Sequence, residues 1–202
     1  MKRIVIIGAR GHGKVVADIA MRSGYDEIRF LDDDTEIGEC AGFPVVGRVR
    51  DAGKFQSCDF IVAIGEAEAR RRIQESISGN IVTLIHPRAT LSRRVTVGRG
   101  CVFMAGSVVN SDCVVGDGVI VNTGATIDHD CRIGDYAHVS VGAHVAGTVV
   151  VGENTWVGVG SCVSNNVAIC RDCKIGAGAV VVHDVERPGT YVGVPARFLH
   201  GN

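Results

Sequence analysis

Residues 127–145 read IDHDCRIGDYAHVSVGAHV, and their spacing decides the fold. An aliphatic residue returns every six positions, at Ile127, Ile133, Val139 and Val145, and four residues after the first three stand Cys131, Ala137 and Ala143. The same beat extends outward without a slip from Ile85 to Glu186, with Phe103 the one first position that is not aliphatic. A fixed short period of this kind marks a β-solenoid, whose coils bury their inward residues only by stacking on one another. Three hexads per coil make a triangular prism in which residues 18 apart stack about 4.8 Å apart. The aliphatic first position and the small fifth position are expected to point inward. Gly98, Gly116, Gly134, Gly152, Gly158 and Gly176 are expected at corners that need backbone freedom.

Outside the repeat the pattern changes. KRIVIIG (2–8) is an apolar run closed by glycine, followed by a loop and an amphipathic segment from His12 to Ser23. IRFLDDD (28–34), CDFIVAIG (58–65) and IVTLI (81–85) read as further strands, with a helix over EAEARRRIQES (66–76) between the last two. Strands alternating with helices predict a small Rossmann-like parallel sheet with a ligand crevice at the strand C-terminal ends. The expected fold class is therefore α/β plus β-solenoid. A Rossmann-like unit spans 1–84, a parallel β-helix 85–186, and a tail over 187–202 covers the last open strand edge.

Net charge is −1 with the basic residues scattered, which argues against a nucleic-acid surface or a polybasic membrane anchor. Arg70, Arg71 and Arg72 form the densest basic run and read as a solvated helix face. No stretch reaches the roughly 20 apolar residues of a membrane span, and the N-terminus reads as a strand rather than a signal peptide. A cytoplasmic location is expected. Of the eight cysteines, Cys101, Cys113, Cys131 and Cys173 occupy the inward fifth position, where a thiol packs as a small hydrophobe. Cys170 and Cys173 spell C-x-x-C, but no second Cys or His pair stands at zinc-site spacing, so no metal is expected.

Stacking by 18 maps the chemistry. Ser111, His129, Gly147 and Asn165 share one strip, placing Gly147 one coil above His129 with no side chain over the imidazole and a backbone N–H potentially free. A base beside an oxyanion donor suits acyl transfer. Asp128 and Asp130 flank His129, and a carboxylate beside imidazole favours its protonated form and strengthens it as a base. Val141, Val159 and Ala177 form a second strip suited to a long ligand lying along the prism. His129, His138 and His144 raise a zinc reading, but spacings of nine and six put them on different faces. Trp156 falls one coil above His138, as interface packing first and cofactor contact second. In the N-terminal unit the loop GARGHG (8–13) lets backbone approach a phosphate at the start of the first helix.

GARGHGKVVADI, FLDDD, VAIGEAEAR, LIHPRATLS, NTGATIDHDCRIGDYAHVSVGAHVAG and YVGVPAR, in this order, resemble the bacterial hexapeptide-repeat nucleotide-sugar acetyltransferases, UDP-4-amino-sugar N-acetyltransferases and their sialic-acid O-acetyltransferase relatives. The resemblance covers essentially the whole chain and implies that the β-helix is left-handed. It implies acetyl-CoA as co-substrate, a nucleotide-linked amino sugar as acceptor, and a homotrimer with active sites between adjacent prisms. His129 would be the general base, Asp130 the carboxylate that tunes it, and Asn122 a group that orients the amine. His138, Gly147, Val159 and Ala177 would contact acetyl-CoA, with the Gly147 N–H donating to the thioester oxygen. Arg10, Gly11 and His12 would meet the phosphates, Asp32 and Asp33 the uridine, and Gly65 the same crevice. Arg10 departs from the family, which usually carries glycine or serine there, so the nucleotide could be UDP, GDP or dTDP. O-acetylation of a sialic or related nonulosonic acid is the alternative reaction, and a silent scaffold that only senses a nucleotide sugar is the non-enzymatic one.

Overall fold

The computed structural model describes residues 1–201, which fall into two compact units, Met1–Pro87 and Arg88 onward.

The first unit begins with β1 (Arg3–Ile7), then α1 (Gly11–Arg22) and β2 (Glu27–Leu31). A short hairpin of β3 (Glu39–Cys40) and β4 (Phe43–Pro44) and a 3-10 segment, Val49–Phe55, lead to β5 (Asp59–Val62), α2 (Ala67–Ser76) and β6 (Asn80–Ile81). The sheet is parallel in the order β2-β1-β5-β6, so the loops after β1, β2 and β5 open at one end. Its core strands are apolar on both faces: Ile4 to Ile7 and Phe60 to Val62 are almost completely buried, as a parallel sheet covered on both sides requires.

In the second unit, three columns of two-residue strands pair in parallel at a constant offset of 18, for example Val108↔Thr126, Ile120↔His138 and Arg132↔Val150. The result is a left-handed parallel β-helix. The first face stacks Val102–Phe103, Ile120–Val121, His138–Val139, Trp156–Val157 and Cys173–Ile175. The second stacks Thr90–Leu91, Val108–Val109, Thr126–Ile127, His144–Val145, Cys162–Val163 and Val180–Val181. The third runs from Thr96–Val97 to Ala168–Ile169.

First and fifth hexad positions fill one continuous core from Cys101 to Val185. Polar members of that core are satisfied locally, as buried hydroxyls must be. Ser107 and Ser161 donate to the carbonyls of Met104 and Gly158, both at 2.8 Å, and Thr155 donates to Cys170 O at 2.9 Å. The cysteines are free thiols, with Cys170 and Cys173 sulfurs 3.4 Å apart. Burial pushes the Cys173 thiol up to about 12, with Cys170 beside it adding to the effect.

Ile85, where the beat starts, is exposed and its neighbour Leu84 is buried, and Leu84–Ile85 is the first strand of the first face. One expectation changes. The second-position glycines are not there for backbone freedom: the left-handed conformation falls at the fourth position, in Gly106, Gly124, Gly142 and Gly160 and in Asp112, Asp130, Asn154 and Asn166. The second-position glycines answer to crowding, because a Cβ on Gly134 would meet Glu153 N at 2.5 Å and one on Gly116 would meet Asp135 N at 2.8 Å.

The tail adds Gly189–Val192 in parallel to Cys173–Ile175, and Arg197–His200 folds back on it antiparallel. Val180 N donates to Gly193 O at 3.0 Å and Ala196 N to Val180 O at 2.8 Å, so the tail also pairs the last strand of the second face. Residue 202, the end of the expected cap, lies outside the described residues.

Candidate active site

His129 follows the strand Thr126–Ile127 at the corner between the second and third faces. Its backbone is fixed between coils: Thr148 N donates to His129 O at 2.9 Å, and Asp130 N donates to Ser111 O at 3.0 Å. Asp130 has φ +59, the fourth-position turn that brings its side chain back beside its neighbour. His129 Nδ1 and Asp130 Oδ2 are 2.8 Å apart. With a carboxylate as partner, Nδ1 carries the proton and Nε2 offers its lone pair. The hydrogen bond to Asp130, then the charge of Asp128, hold the imidazole pKa above its ordinary value.

Gly147 covers the ring. A Cβ there would lie 2.8 Å from both Cε1 and Nε2 of His129, so only glycine leaves the imidazole its place. The Gly147 N–H has no hydrogen-bond partner among the described residues. A proton acceptor therefore stands beside an unspent donor, the pair an acyl transfer needs.

Asp128 was placed in the sequence only as a flanking charge, and the structure gives it more. Its Oδ1 accepts both His129 N and Asn110 Nδ2, each at 2.8 Å. Those two hydrogen bonds hold the Asp128 carboxyl below its ordinary range, Asn110 contributing most. Asn110 and Asp128 line a groove of about 500 Å³ on the second face, with His144, Cys162 and Asn165 farther along it.

Asn122 is held elsewhere. Its Nδ2 lies 3.0 Å from His138 Nε2 and its Oδ1 accepts Thr123 N at 2.8 Å. His138 stacks on Trp156 with ring centroids 5.2 Å apart and planes 15° from parallel, and the Trp156 indole N–H donates to Ser140 Oγ. Val159, half exposed, and Ala177 continue along the corner after this first face. Within one chain, Asn122, His138, Val159 and Ala177 thus form one group, His129, Asp130 and Gly147 another, with the second face between them. His144 is on that second face, its Nδ1 2.9 Å from Thr126 Oγ1, apart from His129 and His138. Among the described residues no group of three or more His, Cys, Asp or Glu could hold a metal ion.

In the first unit, Gly8, Arg10, His12, Asp32, Ala63, Ile64 and Gly65 line a cavity of about 290 Å³ at the strand C-terminal ends. Asp32 ties the loops together by accepting Ala9 N at 2.7 Å and Asp34 N at 2.9 Å, so both its oxygens already serve the backbone. Asp33 caps the 3-10 segment through Val49 N at 3.0 Å. Arg10 reaches over to Asp34 at 2.8 Å. Gly11 opens α1 with open space where a Cβ would be. His12 is held neutral, its pKa pushed down to about 4 by burial and then by the Arg70 charge, and its buried Nε2 has no hydrogen-bond partner among the described residues. It can offer a ligand a neutral hydrogen bond but not a positive charge.

Arg70 corrects the reading of its basic run. It is completely buried, not solvated, and its Nη1 donates to Ile64 O and Gly65 O, both at 2.8 Å. It holds the loop after β5 in the shape that floors the cavity. No sequence signal separated it from Arg71 and Arg72, because its partners are carbonyls set by the loop's turn.

Known proteins agree with this architecture. The model of the PglD N-terminal domain matches residues 3–77. The acetyltransferase domain of PglB from Neisseria gonorrhoeae, also solved in complex with acetyl coenzyme A, is 42% identical over 98% of this chain and 100% of that one, with a TM-score of 0.94. Perosamine N-acetyltransferase from Caulobacter crescentus, solved in complex with CoA and GDP-perosamine, is 36% identical over 99% of this chain and 98% of that one, with a TM-score of 0.94. UDP-N-acetylbacillosamine N-acetyltransferase of Bacillus subtilis is 33% identical over 113 residues, 52% of each chain. The match thus spans about half the length of that curated relative, and 20% of a second, an uncharacterized mimivirus protein. This chain belongs to the bacterial hexapeptide-repeat nucleotide-sugar acetyltransferase family.

Proposed function

We propose that this protein transfers the acetyl group of acetyl-CoA to the 4-amine of a UDP-linked 4-amino-4,6-dideoxy sugar. The observation that carries the reading is His129, fixed by Asp130 at 2.8 Å, beside the unspent Gly147 N–H. The names and ligands of the Neisseria, Caulobacter and Bacillus relatives support the same reaction class. The neutral amine attacks the thioester carbonyl while His129 Nε2 takes its proton, and the Gly147 N–H receives the developing oxyanion. Collapse breaks the C–S bond, and the imidazolium returns the proton to the leaving thiolate. Atoms balance without a covalent acetyl-enzyme, and no cysteine stands on the His129 strip.

Asp130 keeps Nδ1 protonated and stabilises the imidazolium. His138, Val159 and Ala177 hold acetyl-CoA, and Asn122, beside His138, orients the amine. Because that group and the His129 group sit on different parts of one prism, a homotrimer in which one subunit's first face meets its neighbour's His129 corner completes the site. Arg10 and the open backbone of Gly11 meet the diphosphate, with His12 as neutral donor or acceptor, and Asp32, Asp33 and Gly65 frame the nucleoside. The reaction belongs in the cytoplasm, with acetyl-CoA; among the described residues no helix is long and apolar enough to cross a membrane. A GDP-linked acceptor is the second reading, supported by the GDP-perosamine bound to the Caulobacter relative.

Thiol release from acetyl-CoA, measured against UDP-, GDP- and dTDP-linked 4-amino-4,6-dideoxy sugars and free sialic acid, tests this. Turnover with one nucleotide amino sugar is expected. Turnover with sialic acid alone would replace N-acetylation by O-acetylation and leave the nucleotide crevice without its role.

A further inference from the structure

We infer that Asp128 is a catalytic residue that receives the acceptor's ammonium group, that Asn110 positions it, and that this pair makes the site an amine site rather than a hydroxyl site. The inference rests on the acetyl-transfer reading above and deepens it by naming what selects the acceptor.

Two carboxylates flank His129, and their hydrogen bonds give them different work. Asp130 bonds the ring at Nδ1 and does not line the groove on the second face. Asp128 lines that groove and makes no bond to the ring. Its Oδ1 is pinned from two sides, by His129 N of its own coil and by Asn110 Nδ2 of the coil below, both at 2.8 Å. Two donors on one oxygen fix the carboxylate plane, and Oδ2 is left with no partner among the described residues. An oriented carboxylate oxygen therefore stands on the residue next to the general base, where the groove of about 500 Å³ on the second face ends and the His129 corner begins.

A neutral hydroxyl gains little from such an oxygen, because it exchanges one hydrogen bond to water for another. A primary ammonium gains a charge-assisted bond, which is about twice as strong. The chemistry then has two proton steps. The ammonium docks on Asp128 Oδ2 and releases one proton to water; the neutral amine attacks, and its next proton passes to His129 Nε2. One proton is released overall for each acetamide and thiol formed. Asn110 touches no reacting atom: its amide sets the direction in which Oδ2 points.

The test compares two ligands by calorimetry at pH 7: the UDP-linked 4-amino-4,6-dideoxy sugar and its own N-acetylated product, which is larger by one acetyl group and carries no charge at that nitrogen. Asp128→Asn, which keeps the shape of the side chain, is expected to weaken the amine about tenfold and the acetamide less than twofold. Asn110→Ala is expected to weaken the amine severalfold in the same selective way, and Asn110→Ser to recover part of the loss. Acetyl-CoA affinity, measured on the same variants, should stay within twofold of the wild-type value, which shows that the prism is intact. The wild-type preference for the amine should fade above about pH 9, where an alkylamine loses its charge, and the Asp128→Asn protein should show no such change. Parallel weakening of amine and acetamide, or no weakening of either, overturns the inference. A wild-type protein that acetylates no nucleotide amino sugar fails the functional reading itself, and the inference with it.

Discussion

Gly147 occupies the position one coil above His129, where a Cβ would sit 2.8 Å from the imidazole Cε1 and Nε2. The backbone N–H of the same residue has no hydrogen-bond partner among the described residues. One absent side chain therefore serves both halves of the chemistry: it gives the base its room and leaves the oxyanion donor uncovered. Gly147→Ala keeps the N–H but displaces the ring. Turnover in the thiol-release assay is expected to fall about a hundredfold, as misplacement by an ångström commonly does, with a melting temperature close to wild type because the new Cβ meets only the exposed His129 side chain, which can swing aside.

His129 must be neutral to act, and its partners favour the charged form. The acid limb of kcat/KM is therefore expected above its ordinary 6.5, since a raised pKa makes the rate fall earlier as pH drops. Asp130→Asn removes the largest cause of the shift. A pH profile should then show the acid limb moved to lower pH and the plateau reduced about tenfold, while His129→Ala costs about a hundredfold or more at every pH. Near-normal turnover in His129→Ala would assign the base elsewhere.

His12 predicts a pH dependence of stability in the first unit. Folded, it titrates near 4; unfolded, it returns to 6.5. Between those values the unfolded chain binds a proton that the folded chain refuses, so stability falls as pH falls from about 6.5 toward 4. The cost between pH 7 and pH 5 is about 2 kcal/mol. Urea denaturation of wild type and His12→Gln at the two pH values should show this slope in the first protein and a smaller one in the second.

Glycines of the prism separate into two kinds with different penalties. Gly134 is held by crowding, with Glu153 N 2.5 Å from the place of a Cβ. Gly160 is held by conformation, with φ +63 and nothing within 4 Å of a Cβ. Gly134→Ala should destabilise by about 1–3 kcal/mol as overpacking against rigid backbone does. Gly160→Ala should cost about 1 kcal/mol, and Gly160→Asn less, because Asn154 and Asn166 already adopt the same backbone at the same position. Thermal melts in the order wild type, Gly160→Asn, Gly160→Ala, Gly134→Ala would bear this out.

The period of six was enough to specify the prism, because a hexad is a local object: two residues of strand and a turn, repeated until its inward side chains meet their copies 18 positions away. It also placed Gly147 over His129 and Trp156 over His138, since stacking follows from counting alone. The strand-glycine-helix alternation likewise specified the parallel sheet and the end at which its loops open.

Only the tertiary structure decided which partners those residues keep. Asn122 joins His138 rather than His129, because the turn after each two-residue strand directs adjacent hexads to different faces. Ile85 keeps the beat and lies outside the core, because no coil of the prism precedes it. Arg70 is buried against two loop carbonyls while its neighbours in sequence are not, and Asn110 meets Asp128 across a full coil. Spacing in the chain fixes which face a side chain leaves from. Its charge, burial and hydrogen bonds depend on what the rest of the chain brings to that face.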